Sequence, residues 1–274
     1  MAPFLTHLMI GERIWTALGG DGYAESAWHG EEYYGSFLLG CLAPDVDKLC
    51  KGLEQSTTHF AAKDRGFAWV KQRTRRFLEN PGDWMRAPCV DLTPAEQAFT
   101  LGYLCHVATD EATGRLGQRM VAHLKATGEP FPNTDALLTV IDPRLWAMAL
   151  EPEQVLSALD QAPIPCCPFP FIRAGCLEAL RQVVLPQVHA GGGFLPYLGM
   201  VRRHWQWCRH GRVSDAADDP ELERDLAAHQ QRVEVELATC ERLVDELDVA
   251  AFARDAVGHS SDCIRALLEQ GRSL

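Results

Sequence analysis

The stretch Thr93-Pro94-Ala95-Glu96-Gln97-Ala98-Phe99-Thr100-Leu101-Gly102-Tyr103-Leu104-Cys105-His106-Val107-Ala108-Thr109-Asp110 decides the fold class. It opens with three helix-start signals: Thr93 at the N-cap, proline at the first helical position and glutamate at the third. Leu101, Leu104, Cys105 and Ala108 then recur at helical spacing, which predicts a helix over residues 94–125. The apolar run Gly102-Tyr103-Leu104-Cys105 marks it as largely buried. His106 and Asp110 stand one turn apart on such a helix and face the same side. An exposed pair of this kind adds only about 0.2–0.5 kcal/mol. A buried pair needs partners for its polar atoms, and a metal ion is one way to provide them.

Outward from this helix, the periodicity is helical nearly everywhere. Residues 4–18 are amphipathic and carry His7. A second helix over 31–41 is stopped by Pro44, which leaves Asp45 just past its end. A third is expected over 61–78, with Lys71, Arg73, Arg75 and Arg76 towards its C-terminal end, where cations suit the helix dipole. A loop over 80–92 follows. The second half gives helices at 134–148 (interrupted near Pro143), 152–159, 171–184 and 197–209. A four-proline loop at 162–171 and the break Gly191-Gly192-Gly193 separate them. After Asp218-Asp219-Pro220, the residues Leu222, Leu226, Val233, Leu237, Cys240, Val244 and Leu247 recur at near-heptad spacing. They predict one long helix packed on the domain or on a second copy of the chain, so the 220–247 helix is the candidate seat of a homo-oligomer.

No sustained apolar–polar alternation suggests a sheet. The expected fold class is all-α: a multi-helix bundle with a metal site in the core of the N-terminal half and additional C-terminal helices. The expected organisation is a helical domain over 1–160 with a helical extension over 161–274 packed on it, or one continuous domain.

Four short segments carry the chemistry: Thr6-His7, Gly40-Cys41-Leu42-Ala43-Pro44-Asp45, Thr58-His59-Phe60 and His106-Val107-Ala108-Thr109-Asp110. Each alone is weak. Together they offer three imidazoles and two carboxylates, the donor set that zinc and its first-row neighbours prefer.

In order and approximate spacing these segments resemble the zinc-dependent phospholipase C family. Its fold is shared with single-strand-specific fungal nucleases and with a domain of glycosylphosphatidylinositol-specific phospholipase D. The resemblance covers about the first 125 residues. It implies that Asp45, His59, His106 and Asp110 surround a first zinc, that His7 helps to bind a second, and that Asp110 bridges the two. It also implies a role for the mature amino terminus, here an Ala2 exposed by removal of Met1, although Pro3 complicates that processing. The pattern departs from the family's third metal site. Gly114, Arg115 and Leu116 stand where another histidine is expected, and no later histidine has an acidic residue four positions on. One or two zinc ions are therefore expected.

The function implied is a metal-dependent hydrolase of phosphate esters acting on a small phosphoester or phospholipid headgroup. Zinc lowers the pKa of a bound water to about 7 and so makes hydroxide available at neutral pH. Asp45, reaching both metal and water, is the candidate general base. Two alternatives remain: a single-strand nuclease-like phosphodiesterase, and a degenerate, non-catalytic zinc-binding helical protein. The formal net charge of −11 argues against broad attraction to nucleic-acid backbones or anionic membranes. Arg115 reads as a phosphate contact or a surface arginine. The run Arg202-Arg203-His204-Trp205-Gln206-Trp207 reads as a stacking surface for a base or headgroup, or as ordinary helix packing.

Residues 1–19 lack a basic n-region, and His7, Glu12 and Arg13 interrupt their apolar character, so no secretory signal is expected. No stretch of about 18 uninterrupted apolar residues predicts a spanning helix. The ten cysteines are scattered, and Cys41, Cys105, Cys176 and Cys240 sit at apolar helix positions. They are expected to be reduced and buried in a cytoplasmic protein.

Overall fold

The computed structural model describes residues 4–50, 52–59, 92–163, 169–213 and 219–269. Among these residues the regular structure is helical, with no strand. The α-helices are α1 (Phe4–Gly20), α2 (Tyr34–Leu42), α3 (Gln55–Thr58), α4 (Pro94–Thr127), α5 (Thr134–Trp146) and α6 (Pro152–Gln161). They continue with α7 (Ala174–Val183), α8 (Leu185–His189), α9 (Phe194–His210), α10 (Pro220–Glu234), α11 (Leu237–Glu246) and α12 (Val249–Glu269). The predicted helix at 61–78 and the loop at 80–91 lie outside the described residues. So do the amino-terminal residues 1–3 and the pair Cys166-Cys167.

The central helix α4 begins as its sequence dictates. The Thr93 hydroxyl accepts from the Glu96 N–H, and the Glu96 carboxylate accepts from the Thr93 N–H at 2.9 Å. It ends at Gly128, whose φ of 75° is a left-handed conformation that favours glycine. Against it lies α2, every residue of which is buried. The two helices touch backbone to backbone. A Cβ on Gly40 would lie 2.1 Å from the Phe99 carbonyl oxygen, and one on Gly102 would lie 1.9 Å from that of Phe37. No residue with a side chain fits at either crossing point. Helices α1 and α12 also pack on α4, and α5 packs on α1. The hydrophobic core runs without interruption from Leu5 and Phe37 through Phe99 and Tyr103 to Phe252 and Ile264.

Two buried carboxylates tie α1 to the rest. Asp142 of α5 accepts from the backbone N–H groups of Thr6 (2.9 Å) and Leu5 (3.4 Å), satisfying donors in the first turn of α1. Glu12 accepts from the N–H groups of Leu150 (2.7 Å) and Glu151 (2.5 Å), just ahead of α6. Each arrangement gives orphan helix-end donors an ionisable acceptor.

Three expectations need correction. Helix α5 is not interrupted at Pro143 but runs through it to Trp146. A Cβ on Gly192 would touch the proline ring at an ordinary 3.6 Å, whereas it would clash with Leu5 Cδ1 at 2.6 Å. The single long helix over 220–247 is two helices, α10 and α11, which part at Val235 and Glu236. There the Glu236 carboxylate accepts from the Asn133 N–H at 2.6 Å, pinning the break to the start of α5. Leu222, Val233, Cys240 and Val244 are buried within this chain.

The third correction concerns the cysteines. Cys41, Cys105 and Cys240 are free and buried as expected, but Cys176 forms a disulfide with Cys50, 126 residues away. Disulfides form and persist in oxidising compartments, so the expectation that Cys176 is a reduced, free thiol is overturned. No described helix is long and apolar enough to cross a membrane.

Candidate metal centre

The close crossing of α2 and α4 brings four chain segments to one point. His7 comes from α1 and Asp45 from a 3-10 turn, Ala43–Lys48, that continues α2 with Pro44 in its first turn. His59 follows α3 directly, and His106 and Asp110 project from α4. The structure gathers all five sequence-predicted ligands. His59 Nε2 lies 3.3 Å from Asp110 Oδ2 and 3.5 Å from Asp45 Oδ1. His106 Nε2 lies 3.6 Å from Asp110 Oδ2, and His7 Nε2 lies 3.6 Å from Asp110 Oδ1.

Two overlapping triads result: His7, Asp45 and His106, and His59, His106 and Asp110. Within each, the donor atoms lie within 4.8 Å of one another. The grouping implied by the family resemblance put Asp45, His59, His106 and Asp110 in one set and His7 in another. Here the five form one cluster in which Asp45 neighbours both His7 and His59, and His106 belongs to both triads.

Neighbouring groups fix how the imidazoles present themselves. His106 Nδ1 lies 2.7 Å from the Cys41 carbonyl oxygen, so this nitrogen donates and Nε2 turns its lone pair to the cluster. His59 Nδ1 lies 2.8 Å from the Thr58 hydroxyl, and the Tyr103 hydroxyl donates to the Thr58 carbonyl. The His7 and His106 rings stack with centroids 3.7 Å apart and planes within 7°.

Three buried atoms of the cluster lack a partner, while another contact can be served by either a proton or an ion. His59 Nε2 and His106 Nε2 face each other at 3.3 Å, a contact that a proton on His59 satisfies in the metal-free protein and a cation can satisfy in its place. Both ring nitrogens of His7 and Asp45 Oδ2 are buried with no hydrogen-bond partner among the described residues. Leaving such atoms unsatisfied costs about 1–3 kcal/mol each. Imidazole and carboxylate donors converging in this way fit a zinc ion.

Electrostatics divide the cluster. Burial, followed by the neighbouring His106, lowers the His7 pKa to about 4, so its ring is neutral at pH 7. Burial opposes charge on His59 too, but hydrogen bonds and ion pairing to Asp110 and Asp45 outweigh it and raise its pKa to about 9. Burial disfavours the charged form of both aspartates. Lys48, His59 and His106 nevertheless hold Asp45 well below the usual carboxylate range, and His106, His59 and His7 do the same for Asp110. Metal-free, the site at pH 7 holds two ionised carboxylates, a protonated His59 and a neutral His7.

Lys48 was not singled out by the sequence reading. It pairs directly with Asp45 Oδ1, and its position three residues on in a short helical turn was the available signal. Arg115 is exposed on α4. The downstream histidines serve elsewhere: His123 pairs with Glu246 at 3.0 Å and His259 with Glu111 at 3.1 Å. Neither enters the cluster.

The aromatic and basic run on α9 packs rather than standing free. Arg202 pairs with Glu223 at 2.6 Å, His204 donates to the Lys48 carbonyl at 2.7 Å, and Trp207 Nε1 donates to the Leu49 carbonyl at 2.9 Å. Helix α9 thereby braces the segment that presents Asp45 and Lys48. Cys50, one residue on, is held to α7 by the disulfide.

Comparison with known families agrees with this geometry. Residues 6–113 match the family model described as zinc dependent phospholipase C, a span that contains all five clustered residues. No curated protein and no solved structure matches the chain.

Proposed function

We propose that this protein is a zinc-dependent hydrolase of phosphate esters, with one or two ions held by His7, Asp45, His59, His106 and Asp110. The observation that carries this reading is the convergence of three imidazoles and two carboxylates, with buried donor atoms unsatisfied by the chain itself, inside the segment that matches the family. When bound, zinc acidifies water and polarises a phosphoryl oxygen.

The chain's own residues do the rest. The Cys41 carbonyl fixes the His106 tautomer and the Thr58 hydroxyl orients the His59 ring, so both Nε2 atoms are pre-aimed. Asp45 binds with one face engaged by Lys48, which leaves Oδ2 to accept a hydrogen bond from the attacking water and orient it. Its depressed pKa makes it a weak proton acceptor, so positioning is its larger contribution. Lys48 places a positive charge beside the site, where it can attract a phosphate oxygen.

Two features favour hydrolysis over a purely structural ion. Structural zinc is commonly closed by cysteine and histidine, whereas this set includes two aspartates. A cavity also borders Asp45 and Lys48. The net charge of −11 favours a small phosphoester over a nucleic acid as substrate. The test is hydrolysis of bis(4-nitrophenyl) phosphate by zinc-loaded protein. Turnover that is lost on chelation and in both Asp45→Asn and Asp110→Asn supports the reading. Turnover undiminished in either variant contradicts it.

A further inference from the structure

A separate cavity, of about 470 Å³, lies between α1, α12 and the connection from α5 to α6. None of the five clustered residues lines it. Its volume falls within the range of pockets that enclose small organic ligands, about 300–1,000 Å³. Ala17, Met148, Leu150 and Val257 give it an apolar wall, and the lining also includes Arg13, Arg254 and Arg265.

The arginines differ in what faces them. Arg265 pairs with Asp21 at 2.6 Å, and Arg254 with Asp248 at 4.0 Å. Arg13 of α1 is half-buried, and no ion pair reaches it among the described residues. Its Nη2 donates to the Met148 carbonyl at 2.5 Å, and its Nε is buried with no hydrogen-bond partner among those residues. A cation drawn out of water needs a counter-charge. In a chain of net charge −11 acidic partners are plentiful, yet none is placed here.

We infer that this cavity binds a small organic monocarboxylate, with the Arg13 guanidinium as its counter-ion and the apolar wall around its hydrocarbon body. The balance of charge selects the class. Asp21 and Asp248 already face Arg265 and Arg254, which leaves a single positive charge to be matched. A doubly charged phosphate would bring one negative charge too many, and an uncharged molecule would leave Arg13 unmatched. Planar guanidinium and carboxylate groups also fit each other as hydrogen-bonding partners. The site is independent of the proposed hydrolysis. It shares α1 with the metal centre, where His7 and Arg13 are separated by about 9 Å of helix rise.

Calorimetric titration of the zinc-loaded protein tests it, with 4-phenylbutyrate as the carboxylate and 4-phenylbutan-1-ol as its uncharged analogue. The carboxylate is expected to bind about tenfold or more tightly than the alcohol, as a charge-assisted contact provides. Excess inorganic phosphate is expected not to displace it. Arg13→Met keeps a side chain of similar length without the charge, and is expected to lower affinity to the level of the alcohol. Gly258→Phe is the second variant. Gly258 lines the cavity, and a Cβ there would meet no atom within 4 Å, so α12 accepts the ring and the ring takes up the ligand's space. Binding is expected to be lost. If Arg13→Met fails to fold, the comparison of acid with alcohol and Gly258→Phe still decide. Equal affinity for acid and alcohol, or displacement by phosphate, overturns the inference. So does binding unchanged in a folded Arg13→Met or Gly258→Phe, which would place the carboxylate elsewhere, the zinc included.

Discussion

His106 Nδ1 and the Cys41 carbonyl oxygen lie 2.7 Å apart, across the point where α2 and α4 meet without side chains. The carbonyl lies in the last turn of α2, shortly before Pro44 and Asp45, and the imidazole is the member common to both ligand triads. Helix packing and metal chemistry are therefore coupled through one hydrogen bond. Gly40 and Gly102 set its length, because only glycine lets the two backbones approach so closely.

Gly40→Ala and Gly102→Ala are accordingly expected to push α2 from α4 and destabilise the protein by about 1–3 kcal/mol, the usual cost of overpacking. Urea denaturation of the metal-free proteins measures this. Zinc affinity is expected to fall as well, since the His106 ring loses its fixed orientation. A variant with unchanged midpoint and unchanged affinity would refute the coupling.

Zinc binding at pH 7 is expected to release about one proton per His59 engaged. His59 in the metal-free fold has its pKa raised to about 9 and must lose its proton to become a ligand. His7, lowered to about 4, is already neutral and releases none. Apparent affinity should thus rise as pH climbs from 7 to 9 and level off above it. Titration calorimetry in buffers of different ionisation enthalpy counts the protons; a release near zero would contradict the assignment.

Asp142 gives a separate pH signature. Burial raises its pKa to about 7, despite hydrogen bonds from Thr6 and Leu5, against about 3.9 in an unfolded chain. Between these values the folded state binds more protons than the unfolded one, so this group's contribution to stability falls as pH rises from about 4 to about 7. Asp142→Asn keeps an acceptor for the Thr6 N–H and removes the titration. The stability difference, wild type minus variant, should decline across that window. A flat difference would show that Asp142 titrates normally.

Much of this was legible in the sequence, for identifiable reasons. The capping box at Thr93 and Glu96 and the apolar periodicity behind it are local, so α4 was readable to within a few residues. The five clustered residues were readable because each sits in a short motif. Lys48, Thr58 as a partner to His59, and Asp142 were not, since their roles depend on which groups the fold brings near them. The division between α10 and α11 was missed for a related reason. The heptad-like stripe continues across Val235, and it is the contact of Glu236 with Asn133, 103 residues away, that marks the break. The Cys50–Cys176 bond joins positions 126 apart that no spacing rule pairs.

That disulfide carries its own expectation. Closing so long a loop restricts the unfolded chain, and the usual stabilisation is about 2–4 kcal/mol. Cys50→Ser, or wild type under strong reductant, should unfold at lower urea by a corresponding amount. Because Cys50 follows the Asp45–Lys48 segment, zinc affinity should weaken in parallel. Equal midpoints with and without reductant would argue that the bond adds nothing.

The most direct test of the account is the metal content of the purified protein and of His106→Ala, since His106 belongs to both triads. After zinc loading and desalting, elemental analysis should find one or two zinc ions per wild-type chain and essentially none in a folded His106→Ala. A wild-type protein that retains no zinc, or a His106→Ala variant that keeps the full complement, would contradict it.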